Sequence, residues 1–208
     1  MKDIFEAMKG GELYDSGDTA LAAEQTLCLD RLYDYNMTRP TEPEKRRALI
    51  REMFAEAGEG CYIEPPLHAN WGGKFARLGK GVYANFGLTL VDDGEITIGD
   101  RTMIGPNVTI ATASHPVLPS LRAKTLQYNL PVHIGADCWI GSGAVILPGV
   151  SIGDGSVIGA GSVVTKDIPA GCVAVGNPCR VIREISERDR EFYYREKRIP
   201  SHFFETEE

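Results

Sequence analysis

Ile134–Pro169 divides into six hexapeptides: IGADCW, IGSGAV, ILPGVS, IGDGSV, IGAGSV and VTKDIP. Position one is isoleucine five times, then Val164, and position two is glycine in four of the six. Position five (Cys138, Ala144, Val150, Ser156, Ser162, Ile168) is mostly small. Ile98, Ile104 and Ile110 keep the register upstream. Leu78, Ala84 and Leu90 keep the period too, ahead of a two-residue slip near Asp92–Glu95. A period of six fits neither the 3.6 of a helix nor the 2 of a plain strand. It predicts a mainly β chain wound as a parallel β-helix. Each hexapeptide gives one short side and one corner, with the first-position aliphatic pointing inward. Glycine and small residues suit the corners. Coils bury their faces only by stacking, so the repeat is itself the source of stability.

The β-helix is expected over residues 58–181. A stretch without the repeat, about 111–133, carries Pro116, Pro119 and Pro131 and is expected to leave a corner as an extruded loop. Long loops on a rigid scaffold tend to carry function. Residues 1–57 read as a helical segment. Asp18 or Thr19 caps one helix running through Tyr35, and Thr41-Glu42-Pro43-Glu44 has capping-box spacing before another. Residues 182–208 are expected to form a short helix, capped at Ser186 and running to about Lys197, and a frayed tail over the last eight residues.

Of 208 residues, 22 are Lys or Arg and 29 are Asp or Glu, a net charge of −7. This balance argues against a nucleic-acid or membrane surface as partner. No apolar run approaches the roughly 18 residues of a membrane span, and Met1–Gly10 has no signal-peptide core. Five cysteines, an odd number without a Cys-x-x-Cys pair, argue against a disulfide scaffold or structural zinc. The expected setting is the reducing cytoplasm.

Several runs stand in a fixed order around the array: Leu13-Tyr14-Asp15, Tyr83-Ala84-Asn85-Phe86, Val91-Asp92-Asp93, Ser114-His115-Pro116-Val117 and Gly176-Asn177-Pro178-Cys179-Arg180-Val181-Ile182-Arg183. Together they resemble the maltose/galactoside O-acetyltransferase family of left-handed β-helix acyltransferases, over essentially the whole chain. The resemblance implies the left hand of the coil, which the period does not give. It also implies acetyl transfer from acetyl-CoA to a sugar hydroxyl, with galactosides, maltose and glucose as leading acceptors and the 6-hydroxyl as target. No metal and no acyl-enzyme are expected. The family's trimers, with active sites between subunits, imply a homotrimer here.

A hydroxyl is a weak nucleophile and needs a base. His115 opens the extruded loop, and imidazole titrates near neutrality. The resemblance assigns it that role. His68, His133 and His202 read as structural or exposed. Asp93 and Asn85 are the implied acceptor contacts, with Asn85 also near the thioester, and Asp92 suits a turn. Asp15, Asn70 and Tyr83 complete the acceptor set. CoA is assigned to Asn85, Ser142, Ala160, Thr165, Lys166, Arg180 and Arg183. The small residues let backbone pair with pantetheine, and the three cations meet the phosphates. The Ser142 N–H is the implied oxyanion donor, and Trp139 is a wall of the groove or a packing residue. The chain departs from the family pattern at Asn70-Trp71-Gly72 (usually Asp/Ser-Tyr-Gly), Gln25 (often arginine) and Gln127, all around the acceptor. Xenobiotic or serine acetyl transfer on the same fold is the alternative. More remote are a γ-type carbonic anhydrase, for which His115 and His133 are one coil's length apart, and a non-catalytic scaffold.

Overall fold

The computed structural model describes residues 3–204. Short parallel strands stack on three faces of a prism. Face one carries Glu56–Ala57, Ala76–Leu78, Ile96–Ile98, Val132–Ile134 and Ser151–Ile152. Face two carries Tyr62–Ile63, Tyr83–Ala84, Met103–Ile104, Trp139–Ile140, Val157–Ile158 and Cys172–Val175. Face three carries His68–Ala69, Thr89–Val91, Thr109–Ala111, Val145–Ile146 and Val163–Val164. The six parallel strands of face two mark six coils.

The first position of each hexapeptide points inward, as expected. Ile63, Ala84, Ile104, Ile140, Ile158 and Ala174 form one buried column, and Leu90, Ile110, Ile146 and Val164 form another. Position five has a second use where face one turns into face two. Cys61, Thr102, Cys138, Ser156 and Cys172 stack there and donate to the corner carbonyls of Gly79, Gly135, Gly153, Pro169 and Ala170. A small side chain with an S–H or O–H fits because a buried carbonyl needs a donor. Glycine serves two separate needs. A Cβ on Gly135 would lie 2.6 Å from the Asp154 nitrogen of the next coil, whereas Gly155 has open space but a φ of +66°.

Register explains the irregular spacing. Upper coils step by 18 residues, as Val145 to Val163, and lower coils by 20 or 21, as Thr89 to Thr109 and Tyr62 to Tyr83. The step from Ile98 to Ile134 is 36, one coil plus an 18-residue excursion. The excursion is not a structureless loop. Ala113–Ser114 pairs antiparallel with Leu126–Asn129, which pairs on its other edge with Tyr14–Asp15, and Pro119–Arg122 forms one helical turn.

The helical segment closes the lower end of the prism. Helices α1 (Ile4–Lys9), α2 (Thr19–Asn36) and α3 (Pro43–Met53) precede the coils. Leu32, Tyr35, Ile50, Met53 and Phe54 pack into the same core as the lowest coils, covering apolar ends that have no further coil below them. Asp18 caps α2 by accepting from the Ala20 N–H at 2.8 Å. The expected cap at Thr41 is not used: Glu42 is the N-cap of α3, with Pro43 at the first turn, and its carboxylate accepts from the Arg39 N–H instead.

Three boundaries differ from expectation. Glu56–Ala57 already belongs to face one, so the prism begins inside the segment read as helical. Arg180–Glu184 is a strand that folds back antiparallel on Cys172–Val175, across the expected boundary after 181. The C-terminal helix has its capping box, Ser186 with Asp189, but covers only Glu187–Glu191. The aromatic run Phe192–Tyr194 then pairs as a strand with Lys197–Arg198, because Arg195 takes a φ of +49° and turns the chain. Ser201–Phe204 form a 3-10 turn, and the rest of the tail expected to fray lies outside the described residues.

Candidate active site

His115 follows the strand Ala113–Ser114 at the edge where face three turns into face one. Its ring is exposed, and Nδ1 lies 2.9 Å from the Leu126 carbonyl oxygen on the neighbouring strand. A carbonyl only accepts, so Nδ1 carries the hydrogen of the neutral imidazole and Nε2 keeps its lone pair. No side chain is needed for this, which is why the sequence gives no sign of Leu126 as the orienting group.

Asp93 lies on the same edge and is only 8% exposed. Asn70 Nδ2 donates to its Oδ2 at 2.9 Å. Trp71 Nε1 and Gln127 Nε2 donate to its Oδ1 at 3.3 and 3.1 Å. Three of about four lone-pair positions of the carboxylate are thus filled from its own chain. Gln127 also donates to the Tyr14 hydroxyl at 2.5 Å and to Asn129 Oδ1 at 3.2 Å, and Asn129 donates to the Asp93 carbonyl at 3.0 Å. Burial pushes the Tyr14 phenol up to about 12, so it stays protonated. Two departures noted above, at Trp71 and Gln127, therefore both end on Asp93. The third, Gln25, donates to the Asn70 carbonyl at 3.0 Å. The sequence offered Tyr14 only as part of the Leu13-Tyr14-Asp15 run and gave no sign of Asn129, because neither belongs to a periodic pattern.

Asp92 takes the turn role expected of it, accepting from the Trp71 and Gly73 N–H groups at 2.8 Å each. Burial raises its pKa to about 6. Asp15 is exposed, and its carboxylate accepts from the Thr125 hydroxyl and, at 2.8 Å, from the Gly17 N–H. Those donors hold it below the usual carboxylate range, the Thr125 hydroxyl contributing most. Asp15 thereby ties the N-terminal strand to the extruded loop.

The other expected residues lie elsewhere. Asn85, Ser142 and Ala160 line the opposite edge of face three, where face two turns into it. Ile104, Ile140 and Ile158 hold that register, and the Gly161 N–H donates to the Ser142 carbonyl at 2.9 Å. Gly105 stands directly against Ser142: a Cβ there would sit 2.8 Å from the Ser142 nitrogen. Tyr83 is exposed on face two and stacks on Tyr62. Thr165 and Lys166 follow Val164 at the His115 edge, in the topmost coil of face three. Arg180 and Arg183 lie on the strand Arg180–Glu184. Arg183 donates both arms of its guanidinium to Asp189, at 2.7 and 2.8 Å, which holds the Asp189 carboxyl well below its usual range. One chain therefore separates His115 from Asn85 and Ser142 by the width of face three. A side of about six residues at roughly 3.3 Å each is on the order of 20 Å.

The two histidines of the carbonic anhydrase alternative do not converge: His133 Nδ1 meets Thr97 Oγ1 at 2.7 Å on face one. Among the described residues no group of three or more His, Cys, Asp or Glu side chains is placed to hold a metal.

Residues 7–58 match the maltose acetyltransferase hexapeptide capping motif, and residues 131–166 match six bacterial transferase hexapeptides. The galactoside O-acetyltransferase of Lactococcus lactis subsp. lactis (strain IL1403) is 52% identical over 188 residues, covering 90% of this chain and 91% of that protein. A galactoside acetyltransferase solved in complex with coenzyme A is similar in structure, with a TM-score of 0.93, 45% identity, and coverage of 97% of this chain and 100% of that one. A maltose O-acetyltransferase from Clostridium difficile 630 has a TM-score of 0.86 at 42% identity, covering 88% and 97%. With this similarity running along nearly its whole length, the chain belongs to the maltose/galactoside O-acetyltransferase family of hexapeptide-repeat acyltransferases.

Proposed function

We propose that the protein transfers acetyl from acetyl-CoA to the 6-hydroxyl of a galactoside, maltose or glucose by direct attack, with His115 as general base. The bond between His115 Nδ1 and Leu126 carries this reading, because it leaves Nε2 free to take a proton. Nε2 removes the hydroxyl proton as the sugar oxygen bonds to the thioester carbon. The Ser142 N–H, kept uncovered by Gly105, faces the developing oxyanion. Collapse breaks the C–S bond, and the imidazolium returns the proton to the departing thiolate of CoA. Asp93, Asn70, Asn85, Tyr83 and Asp15 form the acceptor side. Ala160, Thr165, Lys166, Arg180 and Arg183 line the path of CoA.

We further propose a homotrimer with sites shared between neighbouring chains. His115 and Ser142 stand on opposite edges of one face, so a single chain does not bring them together. The outward column of face two supports the reading: Tyr83, Met103, Trp139 and Val157 follow one another, with Met103 and Trp139 each 54% exposed. Face one presents Glu56, Arg77, Thr97, His133 and Ser151 instead, a surface suited to water. A neighbouring prism seated against face two lies beside the Ser142 edge, and in this reading its own His115 edge completes the site. A cytoplasmic setting is in keeping with five buried, unpaired cysteines. Among the described residues no helix is long and apolar enough to cross a membrane.

The test is acetyl-CoA turnover with purified protein across glucose, maltose, thiogalactosides, serine and chloramphenicol. Acetylation of a sugar at O6 supports the reading. Exclusive use of serine or chloramphenicol assigns the site to the alternative chemistry.

A further inference from the structure

The segment that leaves His115, Pro116-Val117-Leu118-Pro119, lacks the donors that usually close a turn. An N–H at residue 119 would cap the Pro116 carbonyl, and proline has none. The Leu118 carbonyl is taken by the Leu121 and Arg122 N–H groups, and the Pro119 carbonyl by the Ala123 N–H. The carbonyls of Pro116 and Val117 accept from a side chain instead. Arg122 Nη1 donates to Pro116 O at 3.1 Å and also to Val117 O. Its two hydrogens allow both bonds at once.

His115 is thereby held from three directions. The strand Ala113–Ser114 fixes the backbone before it through pairing with Tyr128 and Asn129. Leu126 holds the ring. Arg122 fixes the backbone after it. Without the third tether, two prolines and an uncapped turn would let the His115 backbone pivot about its strand end.

We propose that Arg122 is a positioning residue for acetyl transfer: its guanidinium locks the Pro116–Val117 backbone and so keeps His115 Nε2 aimed at the acceptor hydroxyl. This rests on the reading of His115 as base. Misplacing a reacting group by about 1 Å costs on the order of 100-fold in rate, so the tether belongs to kcat and not to CoA binding.

The experiment is a double-mutant cycle of Arg122→Ala and His115→Ala, read as kcat and as KM for acetyl-CoA, with methylguanidinium added to each variant. Arg122→Ala should lower kcat by about 10- to 100-fold, with KM for acetyl-CoA nearly unchanged. Methylguanidinium should restore part of the loss. In the His115→Ala background the same substitution should change kcat by less than about two-fold. Should Arg122→Ala fail to fold, Arg122→Lys keeps a charge and a stem but not two linked donors, and enters the same cycle. An equal loss in both backgrounds would place the action of Arg122 outside His115 and overturn the proposal, as would an unchanged kcat in the single variant. If His115→Ala alone keeps full kcat, the base reading falls, and the proposal falls with it.

Discussion

The Nδ1 atom of His115 and the carbonyl oxygen of Leu126 are 2.9 Å apart, across two strands of the extruded segment. The contact sets one tautomer, with Nε2 as the basic atom. His115→Ala is expected to lower kcat by roughly 10²–10⁴-fold while CoA affinity and folding stay close to wild type. Steady-state kinetics on the best acceptor check this. A near wild-type kcat would remove His115 from the chemistry.

At the proposed phosphate end the two arginines should differ. Arg180 donates to the Cys179 carbonyl and has further donors, whereas both arms of Arg183 are engaged by Asp189. Arg180→Ala should raise KM for acetyl-CoA by about 10-fold or more, the loss of one charge-assisted contact of on the order of 1.5–3 kcal/mol. Arg183→Ala should raise it less, and added salt should shrink the Arg180 effect. KM values at two ionic strengths decide, and equal effects of the two substitutions would refute the ordering.

Replacing an apolar side chain of face two with a charge should break the proposed trimer. Trp139→Asp is expected to give monomers by light scattering, with turnover lost. Complementation adds an independent test: chains carrying His115→Ala are co-refolded with chains altered at Asn85 and Ala160, on the opposite edge of face three. Shared sites predict recovered activity, since some interfaces then join an intact histidine to an intact groove. No recovery despite proven mixing would mean that each chain carries a whole site.

Glycines of the two kinds should respond differently. Gly135→Ala pushes a Cβ into the next coil, against Asp154, whose carboxylate accepts from the Ala136 N–H. A cost of about 1–3 kcal/mol is expected. Gly155→Asn meets open space and needs only a left-handed φ, which asparagine tolerates, at about 1 kcal/mol or less. Chemical denaturation of both variants gives the comparison, and the reverse order would contradict the stacking account.

Asp92 supplies a pH signature. Burial raises its pKa to about 6 in the folded chain, against an ordinary value of 3.8. The folded state therefore binds this proton more tightly than the unfolded state. Its contribution is greatest below about pH 4 and is lost as pH rises through about 6, on the order of 3 kcal/mol in all. Relative to Asp92→Asn, the wild type should lose stability between pH 4 and pH 7. Parallel pH profiles for the two proteins would exclude Asp92 as the source.

The prism was readable from the hexapeptides alone, because every coil repeats one local demand: an aliphatic inward, a small residue at the corner. The 36-residue step to Ile134 even marks where a coil's length leaves the array. His115 stood out by its place at the start of that departure. The rest of the site obeys no period. Gln127 meets Tyr14 from 113 residues away, and it converges on Asp93 with the adjacent pair Asn70 and Trp71 of a lower coil. Leu126 acts through a backbone carbonyl that any residue type would supply. The end of the last helix at Glu191 was likewise set by a turn and a strand pairing, against a sequence whose charges suit either state. The sequence by itself determined the stacked coils and the helical N-terminal segment, since each is encoded in neighbouring residues or in a fixed period. Only the tertiary structure decided which partners tie down His115 and Asp93, and that one chain keeps His115 and Ser142 on opposite edges of a face. Those relations depend on how a non-repeating loop and an N-terminal strand pack back onto the coils, and no local pattern carries that information.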